Sequence, residues 1–331
     1  MVRAAILNYE CRATRQQQRR RLGTLQTNLV KRITVDRYNH HFNIFVDYLY
    51  QTYGRWPVTP QEYDMIVAEY LEVLWDSGDP KTSATYTLAS LHYFIPQLRR
   101  QLPRSWKLKA IWDKLELPCQ AVPLSLEVLF GFVGYFLKVH EDTMALGCLL
   151  GFNALLRTGE LLSLRVADCV TTPHGCILHL QDAKGAQRRL LQEETVIILD
   201  GLTLQVISML KEDKAPGDFL VGLSPQQFRT KWNKMKSQLG LSSFRYLPYS
   251  LRRGGATWFF SLSGSFSQTM LRGRWQHLKT CKLYISEAQL ALSQVTLPRT
   301  TQASLHQLAN TIRPQLHRWA NQGRVEAGHT Q

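Results

Sequence analysis

The chain has 331 residues, long enough for two domains, each with its own core. Lysine and arginine number 40 against 25 aspartate and glutamate, a formal net charge of +15, so a polyanion is the expected partner and nucleic acid the default one. The cations are spread through both halves and not gathered on one terminal amphipathic helix, which argues against a membrane-surface protein and for double-stranded DNA.

Residues 1–32 carry eight basic side chains against the single acid Glu10, and read as a basic N-terminal arm that lies along DNA, as a nuclear localisation signal, or as a solvated helix. No apolar stretch follows the first charges, so no secretory signal is expected. From Thr34 to Tyr53, Tyr38, Phe42, Phe45, Val46, Leu49 and Tyr50 recur at helical spacing until Gly54 and Pro57. Thr59 with Glu62 opens a second helix in the manner of a capping box, and Ser77-Gly78-Asp79-Pro80 closes it. A third helix is predicted over Thr82–Gln101 with a kink at Pro96. These helices make one domain over 33–117, which bears Lys81, Arg99, Arg100, Arg104, Lys107 and Lys109 as candidate phosphate contacts.

Residues 118–124, with Pro118 and Pro123 and little charge, read as a linker to a second domain over 125–298. Ser125 caps a helix carrying Leu126, Leu129, Phe130, Val133, Phe136 and Leu137, and a helix from Asp142 is expected to deliver Arg157 at its C-terminal end. The apolar run Met144 to Leu156 is too short for a bilayer and reads as buried. Short strands are expected at Ile177–Leu180, Arg188–Leu191 and Thr195–Leu199, with Ala183-Lys184-Gly185-Ala186 as a turn. Cys169, His174 and Cys176 lie close together, but with no second ligand pair and no Cys-x-x-Cys among the six cysteines they read as a turn and strand start. Neither a metal nor another cofactor is expected, and the cysteine usage fits a reducing intracellular compartment. Helices follow over Thr203–Lys211 and Gln226–Leu239, the latter adding Arg229 and Lys231 to the basic surface, with Arg188 as a further DNA contact. In the tail, 299–331, Leu305, Leu308, Ile312, Leu316 and Trp319 form a stripe at helical spacing.

The chemistry lies in a series of boxes: Arg157-Thr158-Gly159-Glu160, then Lys184, then Tyr249-Ser250-Leu251-Arg252, then Trp275, then Tyr284 nine residues later. Two arginines neutralise the charge that builds on phosphate oxygens, a lysine protonates a leaving alkoxide, and a tyrosine hydroxyl is a nucleophile. In order and spacing the chain resembles the tyrosine recombinases, or phage-type integrases. Arg157, Glu160 and Leu161 fit their first box, Leu251, Arg252, Ala256 and Thr257 their second, and Trp275 and Tyr284 their third. The chain departs from the pattern at Tyr249, where histidine is usual, and at Arg253.

The resemblance implies a mainly α fold with a small antiparallel β-sheet, a helical, SAM-like core-binding domain before the catalytic domain, and a linker that closes both around DNA. It also implies cutting and rejoining of DNA through a 3′-phosphotyrosyl intermediate, without metal or ATP, by a homo-tetramer on DNA coupled through the C-terminal helix. The implied catalytic residues are Arg157, Glu160, Lys184, Tyr249, Arg252, Trp275 and Tyr284. The alternatives are a DNA-binding derivative that has lost strand transfer, or an enzyme like the telomere resolvases or type IB topoisomerases. The wording from Leu251 to Thr257 and the arginine-rich arm lean toward a eukaryotic mobile element, hence the nucleus.

Overall fold

The computed structural model describes residues 11–25, 29–117, 120–180 and 194–312. The chain divides between Cys119 and Gln120 into two compact units.

The N-terminal unit is helical. A helix over Arg12–Leu22 holds exposed Arg12, Arg19, Arg20 and Arg21. Helices Arg32–Tyr53, Pro60–Asp76, Lys81–Phe94 and Pro103–Leu115 follow. Each boundary has a local cause. Gly54 ends the first long helix in left-handed backbone conformation, at φ 68. Thr59 accepts the Glu62 amide at 3.2 Å, and Pro60 takes the first helical position. The Glu62 carboxylate reaches back one residue further than a capping box requires, to the Val58 amide at 2.7 Å.

The third predicted helix is corrected. It stops at Phe94, because proline has no N–H to continue the ladder and disfavours α geometry in the residue before it. Ile95 accordingly turns out to φ −126, and Pro96–Leu98 form one 3₁₀ turn. The chain reverses through Arg100 at φ 68 and restarts as a separate helix at Pro103. No side chain of its own caps that helix, and the buried Asp64 carboxylate does so from the 60–76 helix. It accepts from the amides of Arg104 at 2.8 Å and Ser105 at 2.9 Å and from the Ser105 hydroxyl at 2.7 Å. Phe45, Leu49, Ile66, Leu71, Leu88, Leu91 and Trp112 fill the core between these helices.

The C-terminal unit is larger and also mostly helical. Val122 and Leu124, in the stretch expected as linker, donate their amides to the carbonyls of Arg245 at 3.2 Å and Ser250 at 3.3 Å. Leu124 is buried in the core of this unit. Ser125 caps the helix Leu126–Lys138, and Asp142–Asn153 packs against it. A three-stranded antiparallel sheet of order β1-β2-β3 follows, with β1 over Cys169–Thr172, β2 over Gly175–Leu180 and β3 over Glu194–Ile198. The sequence reading missed β1, four residues long with alternation too brief to register. The strand expected at Arg188–Leu191 lies outside the described residues, with Lys184 and Arg188.

Helices Gly201–Glu212, Pro225–Gln238, Tyr249–Ser263, Phe266–Gly273, Leu278–Lys282 and Glu287–Val295 complete the unit, and residues 299–312 are helical. The described part of the C-terminal stripe packs within its own unit: Leu305, Ala309 and Ile312 are buried. Backbone approach is close there, since a Cβ added at Gly134 would meet the Leu308 carbonyl oxygen at 2.4 Å. Leu316 and Trp319 lie outside the described residues.

Candidate active site

Arg157 does not sit at the C-terminal end of a helix, as the sequence suggested. The 142–153 helix ends first, and Leu155, in left-handed conformation at φ 48, turns the chain so that Arg157 becomes the N-cap of a new helix, Thr158–Ser163. Glu160 occupies the third helical position, where its carboxylate accepts the Arg157 amide at 2.9 Å and also the Arg157 guanidinium. The Arg-x-x-Glu spacing is thus a cap spacing: it aims a partly exposed guanidinium outward from a buried carboxylate.

The broken helix explains where the other arginines are anchored. The last carbonyls of a helix have no partner within it and form the negative end of its dipole. Here Arg272 donates to Asn153 O from Nε at 3.1 Å and Nη2 at 2.6 Å, and Arg274 donates to Ala154 O at 3.1 Å. Leu155 O accepts from both Arg252 and Arg274. Arg252, with no exposed surface, also donates from Nη2 to Gly273 O at 2.7 Å, the last carbonyl of the 266–273 helix. Two of its five N–H groups are thereby engaged, and Nε has no partner among the described residues.

Tyr249, Arg252, Arg253 and Ala256 share one face of the 249–263 helix, at spacings of three and four residues. This helix lies so close to its neighbours that a Cβ at Gly254 would meet Leu124 O at 2.2 Å, and one at Gly255 would meet Phe152 O at 2.1 Å. The small residues after the second arginine exist for this approach. Arg253 is buried and donates to Gln120 and, at 3.3 Å, to Gln289.

Tyr284 follows the short 278–282 helix, its amide held by Cys281 O at 2.9 Å and its carbonyl by the Thr257 hydroxyl at 3.2 Å. Its ring packs on Trp275, centroids 4.5 Å apart, and the Arg252 guanidinium carbon lies 5.3 Å from the Tyr284 ring and 4.9 Å from that of Trp275. The Tyr249 hydroxyl donates to the Tyr284 hydroxyl, with ring centroids 5.6 Å apart. The Trp275 indole N–H is buried with no partner among the described residues.

The electrostatics centre on Glu160. Burial pushes its carboxyl up, but the Arg274 guanidinium, the Arg157 amide and the charges of Arg157 and Arg252 outweigh this and hold it below the usual range. Arg252 is lowered to about 10, chiefly by burial and then by Arg274 and Arg157, and so remains a cation at neutral pH. Tyr249 is pushed above the usual tyrosine range, first by burial and then by its bond to Tyr284, and stays a neutral donor. The arrangement can present positive charge and hydrogen-bond donors to an anion beside a phenol nucleophile.

Six of the seven catalytic residues expected from sequence, Arg157, Glu160, Tyr249, Arg252, Trp275 and Tyr284, thus come together through these contacts. The seventh, Lys184, is outside the described residues. The expected DNA contacts divide. Lys81 and Lys109 pair with Asp113 at 3.7 and 2.7 Å, and Lys231 pairs with Glu141, so these three hold carboxylates of their own chain. Arg99, Arg100, Arg104, Lys107 and Arg229 are exposed. Sequence reasoning gave no role to Arg274, buried against Glu160, or to Glu194, buried against Arg274. No local pattern in the sequence marks Arg274, which meets Glu160 across 114 residues.

No family model and no curated protein matches the sequence. Solved structures do match its fold. The chain is similar to the Tn1549 transposon integrase in complex with transposon right end DNA, at 14% identity, over 85% of this chain and 96% of that one, with a TM-score of 0.55. It is similar to the XerH site-specific recombinase bound to palindromic difH substrate in a post-cleavage complex, at 15% identity, over 86% and 82%, with a TM-score of 0.56. The protein therefore has the tyrosine-recombinase fold: mainly α, with a small antiparallel sheet. No helix among the described residues is long and apolar enough to cross a membrane.

Proposed function

We propose that the chain is a site-specific DNA recombinase that cuts and rejoins strands through a 3′-phosphotyrosyl bond to Tyr284. One observation carries this reading: the Tyr284 hydroxyl is held by Tyr249, and its ring by Trp275 and Arg252, beside Arg157 and Glu160. For each residue alone a structural role suffices. Their convergence at one phenol, in the fold of integrases and recombinases solved with DNA, is what strand transfer requires.

In this reading Arg157 meets the scissile phosphate first, because its guanidinium is partly exposed and fixed by Glu160. Arg252 supplies buried positive charge and its unengaged N–H groups. Tyr249 and the Trp275 indole are further donors, in the place where related enzymes use histidine. The Tyr284 O–P bond forms as the P–O5′ bond breaks: the phenol releases its proton to water, and Lys184 gives one to the departing oxygen, so the step is proton-neutral overall. The phosphotyrosyl ester conserves the energy of the broken bond, so a second strand's 5′-hydroxyl reverses the step without ATP. Exchange of two strands then takes a tetramer of the chain on duplex DNA, in the nucleus of a eukaryotic host or the nucleoid of a bacterial one. The arm at 1–32 and the helical domain at 33–117 grip DNA, 118–124 link, 125–298 catalyse, and the tail at 299–331 follows.

The test is a duplex nicked near the cut site, from which the cleaved fragment diffuses away. An active chain accumulates as a covalent adduct on this DNA, in chelator and without nucleotide. A chain that binds the duplex and never becomes covalently attached is a DNA-binding derivative of the fold, and the strand-transfer reading then falls.

A further inference from the structure

Arg274 closes the 266–273 helix in left-handed conformation, at φ 58 and ψ 39, a strained state for a non-glycine residue that persists where its surroundings dictate it. Those surroundings hold one buried guanidinium against three hydrogen-bond acceptors and one carboxylate in ion-pair contact. Nη1 donates to Ala154 O at 3.1 Å, and Nη2 to Leu155 O at 3.2 Å and Glu160 Oε2 at 2.8 Å, while Nε lies 3.1 Å from Glu194 Oε2. These partners come from three places: the turn before Arg157, the first turn of the 158–163 helix, and the first residue of β3.

Both carboxylates are buried, at 8% and 5% exposure, so neither can hold its charge without a cation beside it. Glu160 in turn orients Arg157 and stands 3.8 Å from Arg252. Glu194 is where the chain enters β3, ten residues after Lys184. Together Arg157, Arg252 and Arg274 outnumber Glu160 and Glu194 by one positive charge, and Arg274 is the member that faces both acids.

Building on the strand-transfer reading, we propose that Arg274 is a positioning residue: it locks Glu160 to Glu194, so that the arginine pair and the entry to β3 keep one geometry. It touches protein acceptors on both edges and acts on the phosphate only through Arg157 and Arg252. A lysine has one nitrogen and no fork, and cannot reach both carboxylates and two carbonyls together.

The test compares the full-length wild type with Arg274→Gln, Arg274→Lys and, as a control weakened in the other unit, Leu88→Ala. Hydrogen exchange is read on peptides covering 153–163 and 194–198, and adduct formation on the nicked duplex is followed in single turnover against pH. Arg274→Gln is expected to speed exchange at both segments by at least tenfold, and Leu88→Ala at neither. It should slow the adduct roughly 100-fold while DNA affinity stays within about threefold, with Arg274→Lys recovering part of the rate.

Among the described residues, the charged groups facing Glu160 are Arg157, Arg252 and Arg274, with Glu194 beyond the last. Loss of Arg274 raises the Glu160 carboxyl, so the acid limb of the rate must move to higher pH. If Arg274→Gln does not fold, Glu194→Gln keeps the shape and still frees β3, with faster exchange expected at 194–198. Faster exchange at only one segment in Arg274→Gln, an unmoved acid limb, or no change in Glu194→Gln overturns the proposal. A wild type that makes no adduct overturns the strand-transfer reading, and exchange alone then decides whether Arg274 is the bridge.

Discussion

The hydroxyl of Tyr249 donates a hydrogen bond to the hydroxyl of Tyr284, joining the residue that stands in a histidine's place to the proposed nucleophile. A phenol held above its usual range remains a donor across the whole working pH range, whereas an imidazole changes charge near pH 6.5. Tyr249→Phe keeps the ring and removes the bond, worth about 1 kcal/mol, so adduct formation should slow about fivefold without loss of folding. Tyr249→His should introduce a step in the rate between roughly pH 6 and 7 that the wild type lacks. A wild-type rate that already shows such a step would assign it to another group.

Arg157→Ala removes a partly exposed guanidinium and leaves the buried cations Arg252 and Arg274 in place. Adduct formation should fall roughly 100- to 1000-fold, as for loss of one oxyanion donor, with binding to duplex DNA nearly unchanged. Parallel single-turnover and binding measurements check this. Equal loss of both would make Arg157 a general affinity contact.

Gly255→Ala places a methyl against Phe152 O at 2.1 Å, at the end of the 142–153 helix, and against Leu155 Cδ2 at 2.6 Å, in the turn that arranges the arginines. Overpacking of this kind costs about 1–3 kcal/mol, so the C-terminal unit should unfold at lower denaturant concentration. Activity should fall further than stability, because the displaced turn carries the Leu155 carbonyl that holds Arg252 and Arg274. A denaturation midpoint equal to wild type would contradict the packing.

Much of the site was legible because its parts are local. Arg157 and Glu160 stand at N-cap and N3 spacing, Tyr249 and Arg252 one helical turn apart, and Trp275 and Tyr284 at a fixed step. Arg274 was not legible: its partner Glu160 is 114 residues away, and no local pattern reports an ion pair closed by the fold. The ion pairs of Lys81, Lys109 and Lys231 were not legible either, since their carboxylate partners are set by packing or by a helical turn the sequence reading does not place. The 103–115 helix was a different kind of miss. Pro103 and the stripe of Leu108, Ile111, Trp112 and Leu115 announce it, but the cations interleaved at Arg104, Lys107, Lys109 and Lys114 mask the stripe.

The Tyr284 hydroxyl oxygen is expected to be the one atom of the protein that bonds covalently to DNA. Proteolysis of the adduct trapped on nicked duplex, followed by mass spectrometry, should find the nucleotide on the peptide containing Tyr284. Tyr284→Phe, which keeps the ring against Trp275, should fold, bind DNA and form no adduct. A nucleotide on Tyr249, or an adduct that persists in Tyr284→Phe, would contradict the assignment.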